Sequence, residues 1–101
     1  MSLPTNHSKI AHKLVFNFHS DSGHGWLAVK KTLVRELGLA SEISEYSYMQ
    51  GQSTYLEEDG DMSKFLTRFK EVFGIEPNIK ELEQRNGQSV IRSMKRFSME
   101  K

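Results

Sequence analysis

Cysteine is absent from this 101-residue chain, which removes disulfides, thiolate metal sites and thiol nucleophiles together. Proline occurs only twice, and no apolar run approaches the ~20 residues that a membrane-spanning helix needs. The first residues also lack the basic-then-apolar layout of a signal peptide. These absences set the expectation of a soluble, cytoplasmic protein that makes no membrane contact. An excess of one charge is missing too. Fourteen Lys and Arg against 13 Asp and Glu leave +1, short of the basic footprint of a dedicated nucleic-acid binder. There is no glycine-rich phosphate loop and no serine in a nucleophile-elbow pattern, so nucleotide and acyl-transfer chemistry have no motif behind them.

What is present suits one small core. Apolar residues make up 37% of the sequence and charged residues 27%, enough of the first to fill an interior and too little net charge to keep the polypeptide unfolded. Residues 1–10 carry no periodic pattern and read as a loose arm, which leaves 11–101 as a single α+β domain. The charge is unevenly spread. Residues 36–61 hold seven acids and no Lys or Arg, whereas residues 85–101 sum to +4 and read as a basic C-terminal tail from about residue 88. An acidic middle and a basic tail are expected to attract each other within the monomer.

Hydrophobic periodicity supplies the elements. Leu14, Phe16 and Phe18 alternate with polar residues over 12–19, a strand with one buried face; the Ser20-Asp21-Ser22-Gly23-His24-Gly25 turn leads to a second strand at 26–29. Leu33, Val34 and Leu37 ahead of Gly38 mark a short helix. Alternation returns over 43–49, with Tyr46 and Tyr48 on one face, and the Gln50-Gly51-Gln52 turn joins it to 53–57 as a hairpin. The strongest helix follows: Met62, Phe65, Leu66, Phe69, Val72 and Phe73 form one stripe, Asp61 stands at the N-cap position, and Gly74 closes the end with Ile75 placed to fold back on Phe69. Beyond Pro77, residues 79–84 read as a strand or a short helical turn, Asn86-Gly87 as a turn, and 89–97 as a partly extended basic tail. The order is β-β-α-β-β-α-β. It implies an antiparallel sheet of four to five strands with both helices on one face and the other face left for solvent or a partner.

Three groups of residues carry chemistry. His19, Asp21 and His24 flank one glycine-rich turn, and imidazole with carboxylate serves both acid/base work and divalent-metal binding. Turn bonds from Asp21 and a core role for Trp26 explain the same segment without any chemistry. Glu57, Glu58, Asp59 and Asp61 present clustered oxygens of the kind a hard cation takes, without the spacing of an EF-hand loop, and acids at a helix start also satisfy its dipole. If both turns share one edge of the sheet, they make a mixed His/carboxylate site. Arg92, Lys95, Arg96 and Phe97, with Tyr46 and Tyr48, form the third group, suited to a protein partner or to phosphates and bases.

The segments HSDSGHGWLAV (19–29), ISEYSY (43–48) and YLEEDGD (55–61), in that order, resemble a group of short uncharacterised proteins carried by bacteria, their plasmids and phages. The resemblance spans about 15–73. It implies a self-standing small domain with an accessory role linked to mobile DNA, and it transfers neither a catalytic residue nor a ligand. The expectation is therefore a non-enzymatic binding or accessory module that needs no cofactor and contacts a protein partner or a second copy of itself. A metal-dependent enzyme built on the His/Asp/Glu turns and a nucleic-acid binder using the basic tail are the alternatives.

Overall fold

A computed structural model describes residues 11–82 and 90–98. Its elements are β1 (Val15–Ser20), β2 (Gly25–Lys30), α1 (Lys31–Glu36), β3 (Tyr48–Gln50), β4 (Ser53–Glu57), α2 (Asp61–Phe73), β5 (Asn78–Glu81) and β6 (Lys95–Arg96), with 3-10 turns at Ala11–Lys13 and Val90–Ser93. The α+β class and the order of the first seven elements agree with the periodicity. The sheet itself does not. It has six strands in the order β5-β1-β2-β4-β3-β6, and β5 runs parallel to β1 while every other pair is antiparallel. Helix α2 is the crossover that carries the backbone from β4 past two strands to the far edge, and a connection of that length permits parallel pairing.

Alternation along the strands sends Phe16, Leu27, Val29 and Leu56 to one face, where Leu33, Val34 and Leu37 of the α1 region and Phe65 and Phe69 of α2 meet them in a single buried cluster. Both helices therefore cover the same face. Phe16 lies at the centre, with its ring centroid 5.1 Å from Phe65 and 5.6 Å from Phe69 in edge-on contact, the arrangement that ring quadrupoles favour. Gly38 and Gly74 end the two helical segments at φ 70° and 75°, a left-handed conformation costly for any residue with a Cβ. Ile75, expected to fold back on Phe69, is instead 37% exposed, and Phe73 takes that place with its ring 4.7 Å from Phe69.

Two strands are shorter than their alternation suggests. The first begins only at Val15, after the 3-10 turn. Of the segment 43–49 only Tyr48 and Met49 join the ladder, in a strand that ends at Gln50. Residues 43–47 form a loop because Ile43 enters the core, Ser47 is fully buried, and the side chains of both Ser44 and Ser47 are bonded to Asp61. Residues 90–98 of the basic tail are docked and partly extended: β6 adds to the sheet, Phe97 is 6% exposed and joins the core, and its N–H donates to the carbonyl of Ser47 at 2.8 Å. The Asn86-Gly87 turn and residues 83–84 lie outside the described residues. Among the described residues, no helix is long and apolar enough to cross a membrane.

Candidate functional site

The face opposite the helices is built from two rows of side chains. Strand register places His19, Trp26 and Glu57 across from one another in one row, and Ala28, Tyr55, Tyr48 and Arg96 in the next. The 3-10 turn at Val90–Ser93 lays Arg92 over the first row. Its guanidinium carbon stands 5.4 Å from the Trp26 ring centroid, and that of Arg96 stands 5.4 Å from the Tyr48 ring centroid. The two rings are themselves in edge contact at 6.1 Å. Each ring face attracts the cation above it.

Arg92 is held in place from below. Asp21, 3% exposed in the β1–β2 turn, accepts from Nε at 2.7 Å and from Nη2 at 3.2 Å, a two-point pairing across 71 residues of sequence. The Asp21 Oδ1 atom also accepts the backbone N–H groups of Gly23 and His24, each at 2.9 Å, so the turn is wrapped around the carboxylate. The hydrogen bond to Asp21 is the first cause that raises the Arg92 guanidinium above its ordinary value, with burial opposing it. For a cation with a raised value, the stabilisation is complete at every pH below the ordinary arginine value and is lost only above it, so this pairing does not fail through Arg92 in any common buffer.

His24 completes the arrangement. Its Nδ1 lies 2.7 Å from Arg92 Nη2. Arginine can only donate, so Nδ1 is the acceptor and the imidazole carries its proton on Nε2. The ring also stacks on Trp26 at 6.1 Å with a 24° tilt. Asp21 therefore orients an arginine rather than an imidazole, and one basic nitrogen of His24 is already engaged. The His19 ring lies edge-on to Tyr55 at 5.8 Å.

The two turns singled out in the sequence do share an edge of the sheet, since Glu58 N–H donates to the Gly25 carbonyl at 3.0 Å. Glu57 and Asp59 border the same groove as His24, whereas Glu58 and Asp61 turn to other surroundings. Glu57 folds over the start of α2, with Oε1 accepting the N–H groups of Gly60 and Asp61 and Oε2 that of Asp59. A carboxylate there satisfies orphan donors at the positive end of the helix. Asp61 is consequently not the N-cap. It is the first helical residue, 1% exposed, and its Oδ2 accepts from Ser44 N (3.0 Å), Ser44 Oγ (2.7 Å) and Ser47 Oγ (2.6 Å). Lys64 Nζ lies 3.3 Å from the other oxygen. Glu58 borders a separate apolar groove beside Phe18, Met62 and Leu66. Among the described residues, no three His, Cys, Asp or Glu side chains are grouped so as to hold a metal ion. Among the described residues, Glu42 pairs with Arg68 at 3.1 Å and Asp61 with Lys64.

The third group of sequence candidates is the one brought together. Tyr46, Tyr48, Arg92 and Arg96 line one groove with His24 and Trp26, about 520 Å³ in volume, and its remaining border is Glu57, Asp59 and Gly60 of the β4–α2 turn. That volume is within the range of ordinary ligand sites. Lys95 and Phe97 do not belong to it. Lys95 pairs with Met49 and so falls on the side opposite Arg96, and Phe97 is in the core. Trp26 is buried as expected, at 3% exposure, but under Arg92 and His24 on the face opposite the helices rather than in the cluster that the helices cover. No protein-family model, no curated protein and no solved structure matches this sequence.

Proposed function

We propose that this protein is a non-enzymatic binding module that contacts a protein partner through the arginine–aromatic groove. The carrying observation is the pair of guanidinium groups laid over Trp26 and Tyr48 on one sheet face, with Asp21 and His24 occupied in positioning Arg92. Arginine, tryptophan and tyrosine are the side chains that contribute most at protein interfaces, because each combines a broad apolar surface with directional donors. Tyr46, 70% exposed at the rim, adds a ring that a partner can cover. The reading is tested by affinity capture with the full-length protein, run beside a Tyr48→Ala/Arg96→Ala variant. A protein retained by the wild type and not by the variant is purified and titrated against Trp26 fluorescence. No difference between the two captures, or a captured protein that leaves Trp26 unchanged, overturns the proposal.

A second reading, single-stranded nucleic acid on the same groove, is favoured by the placement of Tyr46, Tyr48, Arg92 and Arg96 along one border, since stacked bases and phosphates use that combination. Glu57 and Asp59 on the remaining border repel a polyanion and weigh against it. Polarisation with a labelled oligothymidylate decides between them. Binding that falls steeply with added salt and is lost in Arg92→Gln/Arg96→Gln supports nucleic acid.

A further inference from the structure

The charges that border the groove specify what kind of segment fits it. Arg92 has given three of its five donors away, two to Asp21 and one to His24, which leaves both N–H groups of Nη1 with no protein acceptor among the described residues. Arg96 donates only from Nη1, to the backbone carbonyl of Glu45 at 3.1 Å, and meets no carboxylate among the described residues. Two guanidinium groups over adjacent rings therefore present unused donors to one cavity. One of them is immobilised by a buried carboxylate, so little side-chain freedom remains to be lost when an anion binds.

The same cavity reaches acids of two kinds. Glu57 is consumed by three backbone N–H groups of the turn. Asp59, the other acid on that border, makes no side-chain hydrogen bond or ion pair with the described residues. The groove thus has a cationic border with donors to spare, an aromatic floor, and one carboxylate to spare. A polyanion satisfies the first and is repelled by the last, and a polycation does the reverse.

Resting on the binding-module reading above, we infer that the groove recognises a peptide segment of mixed charge: the carboxylate of an Asp or Glu side group at Arg92 and Arg96, and a Lys or Arg near it at Asp59. Electrostatic complementarity of this kind selects the partner and its direction along the groove more than it adds affinity.

A random displayed 12-residue peptide library selected on the immobilised full-length protein tests the inference, with enriched peptides synthesised and titrated by the fluorescence of Trp26, the single tryptophan. Enriched sequences are expected to hold an acidic and a basic residue at a recurring spacing. Arg96→Gln and Asp59→Asn are each expected to weaken them, Arg96→Gln by about tenfold or more because it removes a hydrogen bond to a charged group. The charge-swapped variant Arg96→Glu/Asp59→Lys is expected to select the reversed order of charges. Circular dichroism of each variant establishes that it is folded. Peptides that bind at the groove, are lost in Tyr48→Ala, and yet carry no acidic residue or ignore Arg96→Gln leave the module reading standing and overturn this inference. A library that yields no groove-dependent peptide overturns it as well.

Discussion

Asp61 offers the sharpest test of how this fold is held together, because the sequence presents it as one of four clustered acids and the structure makes it a buried pin. Its Oδ2 accepts from Ser44 N, Ser44 Oγ and Ser47 Oγ, and Ser47 Oγ in turn accepts the Glu57 N–H at 3.0 Å. The carboxylate thereby ties the 43–47 loop to the start of α2 and the end of β4. A hydrogen bond to a charged group is worth about 1.5–3 kcal/mol, and a buried donor left without a partner costs about 1–3 kcal/mol. These quantities overlap and do not add, so Asp61→Ala is expected to lose about 3–5 kcal/mol from a domain whose total is about 5–15 kcal/mol. Asp61→Asn keeps the shape and one acceptor and is expected to lose roughly half as much. Urea unfolding followed by circular dichroism is the assay. With a slope of about 1–3 kcal/mol per molar urea, the Asp61→Ala midpoint falls by roughly 1–5 M, while Asp59→Ala, an exposed neighbour, changes the stability by less than about 0.5 kcal/mol. An Asp61→Ala variant within about 1 kcal/mol of the wild type, at unchanged slope, refutes the reasoning.

Three further outcomes follow from the geometry. A Cβ on Gly25 would stand 2.2 Å from the tip of the Phe18 ring, so Gly25→Ala is expected to destabilise by about 1–3 kcal/mol in the same urea assay, and Phe18→Leu is expected to relieve part of that loss. Trp26 is 3% exposed beneath Arg92 and His24, and Arg92→Ala is expected to shift its emission to longer wavelength in a protein that remains folded by circular dichroism; an unchanged spectrum refutes the placement of Arg92 over the ring. Nitrogen-detected NMR of the imidazole is expected to find His24 almost wholly as the Nε2–H tautomer, and to find that excess reduced in Arg92→Ala.

Most of the core could be read from spacing alone. Phe65 and Phe69 lie four residues apart on a helix, Phe16 and Leu27 occupy alternating strand positions, and burial follows from such periodicity whatever the strand order. Gly38 and Gly74 likewise marked helix ends through local conformational chemistry. The 43–49 segment misled because alternation describes a side chain's face and not its partner. Ser44 and Ser47 had a buried carboxylate to bind, 17 and 14 residues away, and that contact ended the ladder at Tyr48.

The order of residues was enough to specify the class of the domain, its two amphipathic helices, most of its buried residues, and the fact that its chemistry-bearing side chains fall in three groups, since each of these depends on interactions within a few residues. Folding in three dimensions set the rest: the parallel pairing of β5 with β1, the reassignment of the Asp61 carboxylate from a candidate cation site to serine partners, and the meeting of Asp21 with Arg92. The physical reason is range. A carboxylate responds to whichever donor the fold brings within about 3 Å, and that donor stands on a segment 71 residues away for Asp21 and 14 or 17 for Asp61.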